Sequence, residues 1–251
     1  MRPSELDKMF ELEDTYWWFV ARRRLVRDLL ARYGPTSSRA ESVPSLRILD
    51  VGCGTGATLR TLSEFGEVVG MDSSQEALRF SRRRGSFGLA RARAEALPAP
   101  SGSVDVITAL DLLEHIPDDA AAVRELARAL RPGGVLLVTV PALPWLWSEH
   151  DEALDHLRRY RARRLREILE GAGLKVERLS PLITLMLLPI AALRMVQRAL
   201  PGRKARPETA FIIPPAPVNL ALTWLLWLES RWALRWSLPV GVSLMAVARK
   251  V

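Results

Sequence analysis

Three glycines alternate with single residues directly after a short apolar run, in Leu49-Asp50-Val51-Gly52-Cys53-Gly54-Thr55-Gly56, and a helix-like segment follows at once. Few folds accommodate that order. Where a strand turns sharply into a helix, glycine lets the backbone approach a ligand closely, and the first helical turn offers unpaired N–H groups to an anion. Gly52-x-Gly54-x-x-Ala57 also satisfies a loose dinucleotide fingerprint, so the loop by itself does not separate NAD from another adenosine ligand. Asp72 closes the next apolar run, where a carboxylate can accept hydrogen bonds from both hydroxyls of a ribose. Together the loop and the acid point to an adenosine-containing ligand.

The rhythm that begins there continues through the middle of the chain. LRILDV, EVVGMD, GLARAR, VDVITAL, GVLLVTV and LKVERL read as strands. ATLRTLSEF, SSQEALRFSRRR, DDAAAVRELARAL and RARRLREILEGAG read as helices between them. Ser73 and Glu76 have capping-box spacing, and Pro132-Gly133-Gly134 stops a helix. Repeated strand–helix units imply a parallel sheet covered by helices on both faces. This organisation divides the chain into an N-terminal helical arm (1–44), whose helix runs through YWWFVARRRLVRDLLARY before a Ser-rich linker, a ligand-binding core (45–176) and an apolar helical insertion with a terminal strand, VSLMAVARK (177–251).

Composition narrows the class. At 251 residues and 49% hydrophobic the chain can bury a sizeable core, which excludes general disorder. The net charge of +8 comes mostly from arginine, only Lys8, Lys175, Lys204 and Lys250 being lysine, and it calls for an anionic neighbour. Cys53 is the single cysteine, which excludes an internal disulfide and a Cys-based zinc site and suits a reducing compartment. Between two glycines it reads as a small buried side chain rather than a nucleophile. The acidic, polar start does not resemble a signal peptide, so a cytoplasmic location is expected.

Four elements in order, LDVGCGTG, VVGMD, AEALPAPSGSVDVITALDLLEHI and LRPGGVLLVTVP, resemble the class I S-adenosylmethionine-dependent methyltransferases, in particular the type-11 group, over roughly residues 46–176. The resemblance implies an α/β, Rossmann-like, doubly wound seven-stranded sheet with helices on both faces, an N-terminal helical cap and a C-terminal apolar helical insertion. It also implies S-adenosyl-L-methionine as cofactor. Asp50, Gly52, Gly54 and Gly56 would face its methionine part, Asp72 would hold the ribose, Met71 or Ser73 would border the adenine, and the segment around Asp111 and Leu112 would line the sulfonium side. Many members place an acid before Ala-Glu-x-Leu-Pro to accept from the adenine amino group. Here that position is Arg93, which cannot accept, leaving Glu95 or backbone carbonyls to replace it.

The acceptor side is read from the loops after the fourth and fifth strands, which hold all three histidines, His115, His150 and His156. These are the candidates for a general base. Glu114 beside His115 is either a helix-capping group or part of the site. The segment Trp147–Tyr160 adds Asp151, Arg158, Arg159 and Tyr160 as candidate substrate contacts, joined by Trp17 and Trp18 of the arm. Imidazole and carboxylate could ligate a metal, but no diagnostic ligand spacing is present, so a base is preferred and no metal is expected. Arg158 and Arg159 suit a phosphate or carboxylate, a guanidinium fork being well shaped for either.

Two uncharged stretches, Leu179–Leu193 and Thr209–Leu228, fall short of a membrane span, because both are broken by proline and the second also by Asn219. Trp224, Trp227, Trp232 and Trp236 interleave with Arg231 and Arg235, and Arg194, Arg198, Arg203, Lys204 and Arg206 follow the first stretch. That pairing of aromatic and basic residues suits the surface of an anionic membrane, the alternative being a core helix or dimer face. The expected reaction is methyl transfer to a hydrophobic or lipid-linked acceptor. The alternatives are a soluble small metabolite or sugar, a nucleic-acid methylase, for which no Asn-Pro-Pro-Tyr-type motif is present, and a non-catalytic cofactor-binding protein.

Overall fold

Successive side chains of a strand point to opposite faces, and in three dimensions this sorts the apolar residues of the predicted strands into two cores. The computed structural model describes residues 3–35, 45–199 and 211–251; the Ser-rich linker and Arg203, Lys204 and Arg206 lie outside them. The strands are β1 (Leu46–Val51), β2 (Gly66–Asp72), β3 (Gly88–Arg91), β4 (Val104–Leu110), β5 (Leu130–Pro141), β6 (Leu174–Leu182) and β7 (Ser243–Lys250). They form one seven-stranded sheet in the order β3-β2-β1-β4-β5-β7-β6. β1 to β5 pair in parallel, whereas β7 runs antiparallel between β5 and β6. The strand order reverses between β1 and β4, and the crevice beyond their carboxyl ends is where such sheets take a ligand.

The helices are α1 (Pro3–Leu12), α2 (Trp17–Tyr33), α3 (Leu59–Leu62), α4 (Gln75–Arg84), α5 (Asp119–Ala129), α6 (Glu149–Ala153), α7 (Ala162–Gly171), α8 (Leu187–Ala199) and α9 (Ala216–Ala233). Leu49, Ile107, Leu136 and Ala246 meet Leu126 of α5 and Ile168 of α7 on one face. On the other face Ile48, Val106, Leu137 and Val247 meet Leu25 and Leu29 of α2 and Leu226 of α9. The arm and the C-terminal insertion therefore build one layer together. Asn219, which interrupts an apolar stretch in the sequence, joins them: its side chain accepts from the Trp17 N–H at 2.9 Å and donates to the Thr15 carbonyl at 2.8 Å. No side chain of the N-cap residue Tyr16 caps α2, so Asn219 satisfies an N–H that the helix start leaves open.

Several local expectations are corrected. The N-cap of α4 is Ser74, not Ser73: its hydroxyl accepts from the Ala77 N–H at 3.2 Å, while Glu76 pairs with Arg79 instead of closing a capping box. The segment ATLRTLSEF is regular helix only over Leu59–Leu62, and α1 forms in a stretch read merely as acidic and polar. Pro132-Gly133-Gly134 lies inside β5, at the point where its register with β4 shifts. The first uncharged stretch is split between β6 and α8. Glu229 of α9 enforces that break, its carboxylate accepting from the N–H groups of Ile183, Thr184 (3.1 Å) and Leu185 (3.0 Å). Among the described residues no helix is long and apolar enough to cross a membrane.

Glu229→Ala leaves those three donors without their shared acceptor. It is expected to lower stability by roughly 2 kcal/mol, measured as a lower denaturant midpoint at unchanged slope, with Glu229→Gln recovering part of the loss.

Candidate active site

The glycine loop is bent by residues that only glycine suits. Gly52 has φ 75°, and a Cβ there would lie 2.7 Å from the Leu112 side chain. Gly54 has φ 55°, but a Cβ on it would meet nothing within 4 Å, so its side-chain direction is open space. The N–H groups of Gly52 and Cys53 donate to the Met71 carbonyl at 2.7 and 2.9 Å, tying the loop to the end of β2. Asp72 completes the knot, accepting from the Gly54 N–H at 3.0 Å and from the Ser74 N–H at 2.8 Å. Each of its oxygens retains a second lone pair, so a carboxylate in this position can still accept from a ribose hydroxyl. Gly54 and Asp72 thus leave the room and the acceptors that an adenosine-type ligand requires. Met71 is buried, and the Ser73 carbonyl accepts from Arg91 at 3.0 Å. Glu95 is held by Arg93 at 2.8 Å, which commits one of its oxygens.

Asp50 sits beneath the loop, 2% exposed, and accepts from the Thr108 hydroxyl at 2.6 Å. Burial pushes its carboxyl up to about 7; Thr108 and Arg22 oppose that rise, and Asp72 and Glu13 add to it. Cys53 is buried, and desolvation raises its thiol far above the usual range, which makes it a packing group.

The arm covers the crevice with charged groups. Glu13, just after α1, accepts from the Thr55 hydroxyl and from Arg84 at 3.0 Å, while Arg84 also donates to the carbonyls of Thr55 (2.8 Å) and Phe10 (2.9 Å). From α2, Arg22 binds the carboxylate of Asp111 and the hydroxyl of Thr139, bridging the carboxyl ends of β4 and β5. Burial alone would raise the Asp111 carboxyl; the Arg22 guanidinium outweighs it and holds the group below the usual carboxylate range. Trp18, Ala21 and Leu25 of α2 and Leu182, Ile183 and Leu226 opposite them line a narrow cavity, partly open to solvent, with Arg22, Asp111 and Thr139 in its wall. Trp17 packs edge-on against Trp18, ring centroids 5.9 Å apart.

The loop after β5 is organised by Asp151. This buried carboxylate accepts from the Ser148 N–H (2.9 Å), from Arg159 (2.8 Å) and from Arg194 (3.1 Å), and it lies 3.1 Å from Nδ1 of His156. Those partners overcome burial and hold it well below the usual range. His156 and His115 stack edge-on, centroids 4.8 Å apart, with Nε2 of His156 4.0 Å from Glu114 Oε1. Burial lowers His115 to about 4, and it lowers His150, beside Arg194, likewise to about 4; both imidazoles are neutral near pH 7. His150 stands apart from the other two, its ring against Phe211 at 6.1 Å. Three expected substrate contacts are spent on the protein itself. Tyr160 is fully buried and donates to Asp119 (2.9 Å) and the Leu113 carbonyl (3.1 Å). Arg159 binds the Ala142 carbonyl at 2.9 Å as well as Asp151, and Arg158 binds Pro117 O at 2.9 Å and Asp119 at 3.1 Å.

A family model described as a methyltransferase domain matches residues 18–179. The chain belongs to the class I S-adenosylmethionine-dependent methyltransferase family. It is 34% identical over 134 residues to a Mycolicibacterium smegmatis protein named "Probable S-adenosylmethionine-dependent methyltransferase", covering 52% of each chain. It is 32% identical over 144 residues to a ubiquinone biosynthesis O-methyltransferase of Xanthomonas oryzae, covering 54% of this chain and 60% of that one. The chain thus spans between half and two thirds of the length of these curated relatives. Its fold is that of an S-adenosylmethionine-dependent methyltransferase of Mesorhizobium loti, at 19% identity and a TM-score of 0.58 over 95% of this chain and 100% of that one.

In this methyltransferase fold the sequence motifs locate the glycine loop, but the residues that close over it and the crevice, Glu13, Arg84 and Arg22, carry no motif. Arg22 nevertheless left a signal: it interrupts the apolar stripe Trp18, Ala21, Leu25, Leu29 on α2, and a charge on a core-facing stripe needs a partner.

Between the ordinary carboxyl pKa of ~3.9 and about 7, folded Asp50 keeps a proton that the unfolded chain has lost. Its contribution to stability therefore falls as pH rises through that window. Asp50→Asn keeps an acceptor for Thr108 and removes the titration, so the variant should gain on the wild type from pH 4 to 7 and level off above it. Denaturation at a series of pH values checks this; a constant difference would show that Asp50 ionises normally.

Proposed function

We propose that the protein transfers the methyl group of S-adenosylmethionine to an oxygen of a hydrophobic or lipid-linked acceptor held between α2, α9 and the carboxyl ends of β4 and β5. The observation that carries this reading is the apolar cavity whose wall includes the Arg22–Asp111 pair, so that an apolar acceptor body would end beside polar groups at the ligand edge of the sheet. The name of the Xanthomonas relative supports oxygen as the accepting atom. S-adenosylmethionine supplies an electrophilic methyl when bound. The chain's part is to align the acceptor in line with it and to deal with the acceptor's proton. Gly52, Gly54, Gly56 and Asp72 hold the cofactor in this reading. His115 and His156 serve the acceptor beside Asp111, with His150 on the far side of Asp151.

The same reading gives the exposed face a role. Leu188 (80% exposed), Met195, Trp224, Leu228, Trp232 (61%) and Trp236 are apolar groups turned to solvent on and just after α8 and α9. Arg24 lies 5.2 Å from the Trp224 ring and Arg231 lies 5.1 Å from that of Trp227. Tryptophan backed by arginine favours the headgroup layer of an anionic membrane, from which a lipid-linked acceptor would be drawn.

Purified protein given methyl-labelled S-adenosylmethionine and, separately, membrane lipid extract, soluble metabolites or RNA should label the lipid fraction. Label confined to soluble metabolites supports the runner-up acceptor class, and none in any fraction argues against transfer. Asp72→Ala should weaken cofactor binding by about 1–3 kcal/mol in calorimetry, and NAD should bind more weakly than S-adenosylmethionine.

Liposome flotation tests the membrane reading. Binding should require acidic lipid and fall as salt rises, each basic residue near the surface being worth on the order of 1 kcal/mol that salt screens. A protein that ignores liposomes of every composition has a core or dimer face there instead.

A further inference from the structure

A fully buried carboxylate without a hydrogen bond is costly, and Glu114 is such a group. It is 0% exposed, and neither carboxylate oxygen has a hydrogen-bond partner. Its position is fixed by the chain: it follows β4 in the turn Leu113–His115, and its carbonyl accepts from the Leu157 N–H at 2.8 Å, which draws the loop after β5 against it. That loop brings His156. One ligand atom from each of Glu114, His115 and His156 lies within 4.8 Å of the others.

The two imidazoles are prepared in the same way. Nδ1 of His156 lies 3.1 Å from Asp151, which as a carboxylate can only accept, so this nitrogen carries a proton and Nε2 is the ring nitrogen turned toward Glu114. One ring nitrogen of His115 is hydrogen-bonded by the Asp155 backbone, leaving the other for a ligand. An imidazole whose far nitrogen is held by a carboxylate or carbonyl is the usual outer shell of a metal-bound histidine. His156 does not hydrogen-bond Glu114 in this arrangement, its Nε2 lying 4.0 Å from Glu114 Oε1.

We infer that Glu114, His115 and His156 form a binding site for one divalent transition-metal cation of the zinc type. Two neutral nitrogens and one carboxylate suit such an ion, and three protein ligands leave a coordination position for a further oxygen. The carboxylate that now lacks a partner would then have one. Asp111 and Arg22 are close enough to act electrostatically on Glu114, which places the cluster at the same end of the sheet as the cavity. A hydroxyl on the open position would lose its proton to solvent more readily. Its oxygen pair would then form the new C–O bond as the C–S pair passes to sulfur. That use rests on the oxygen acceptor proposed above, and makes His115 and His156 act through the cation; metal binding itself needs no acceptor.

The experiment therefore reads occupancy. Full-length protein stripped with a chelator is titrated with Zn2+ by calorimetry, and with Co2+ by visible absorption, in the absence of cofactor. One equivalent should bind, the Co2+ adduct should show d–d bands of low-symmetry nitrogen and oxygen coordination, and Zn2+ should raise the unfolding temperature. Glu114→Gln and His156→Ala should each weaken Zn2+ binding at least tenfold and abolish the thermal shift. Asp151→Asn, which touches no metal, should weaken it about 10-fold or more. Glu114→Gln keeps the side chain's shape and removes the carboxylate a cation would need, so its apo form should unfold at the same temperature as apo wild type, which separates lost binding from lost structure. Binding that is absent, or equally tight in wild type and Glu114→Gln, overturns the site. A metal-binding protein that transfers no methyl to any acceptor leaves the site standing and removes only the proposed reaction.

Discussion

A single guanidinium, that of Arg22, holds the N-terminal arm across the carboxyl ends of β4 and β5. Its charge is largely removed from water, which is tolerable only because Asp111 lies against it; removing either partner would strand the other. Much follows from that pair. Arg22 brings Trp18, Ala21 and Leu25 over the crevice, and these with Leu226 define the apolar wall of the cavity. Asp111 is in turn held at φ 48° at the end of β4, with its own N–H given to the Thr139 carbonyl at 2.9 Å. An unfavourable backbone geometry at the end of an interior strand is thus contacted from a helix that is remote in sequence.

The layout of the sheet was legible because it depends on local chemistry. Gly52 and Gly54 need positive φ, β4 is buried almost along its whole length because both faces are covered, and Asp72 stands where β2 must end. The acceptor side was legible only as a collection of residue types. Ligand spacing failed to suggest a metal because Glu114 and His115 lie on one loop and His156 on another, and no linear pattern joins them. Tyr160 and Arg159 looked like substrate contacts because both are polar residues in the right loop. Their burial against Asp119 and Asp151 depends on tertiary packing that the sequence does not display.

The basic composition also changes meaning once the partners are seen. A net +8 suggests an exposed field, yet Arg84, Arg128, Arg131, Arg159 and Arg249 are each bound to carboxylates or carbonyls of the protein. Arginine serves here largely as a cross-link with several donors, closing helix ends and loops that would otherwise leave carbonyls unpaired. This internal pairing leaves the net charge at +8 and decides only which arginines remain open to an outside partner.

The position of β7 bears on how such a chain is made. β6 leaves the ribosome long before Ser243–Lys250, yet the strand it pairs with is β7, which lies between it and β5. Until that late segment arrives, β5 and β6 each present an unpaired edge, and the α7–β6 unit has only its helix packing to hold it. Loop-closure entropy must be met over the whole C-terminal insertion before the sheet gains its largest antiparallel pairings. The nascent chain would hold the five parallel strands as a partial sheet with one raw edge, a form that invites capture by a chaperone or by the edge of a neighbouring chain.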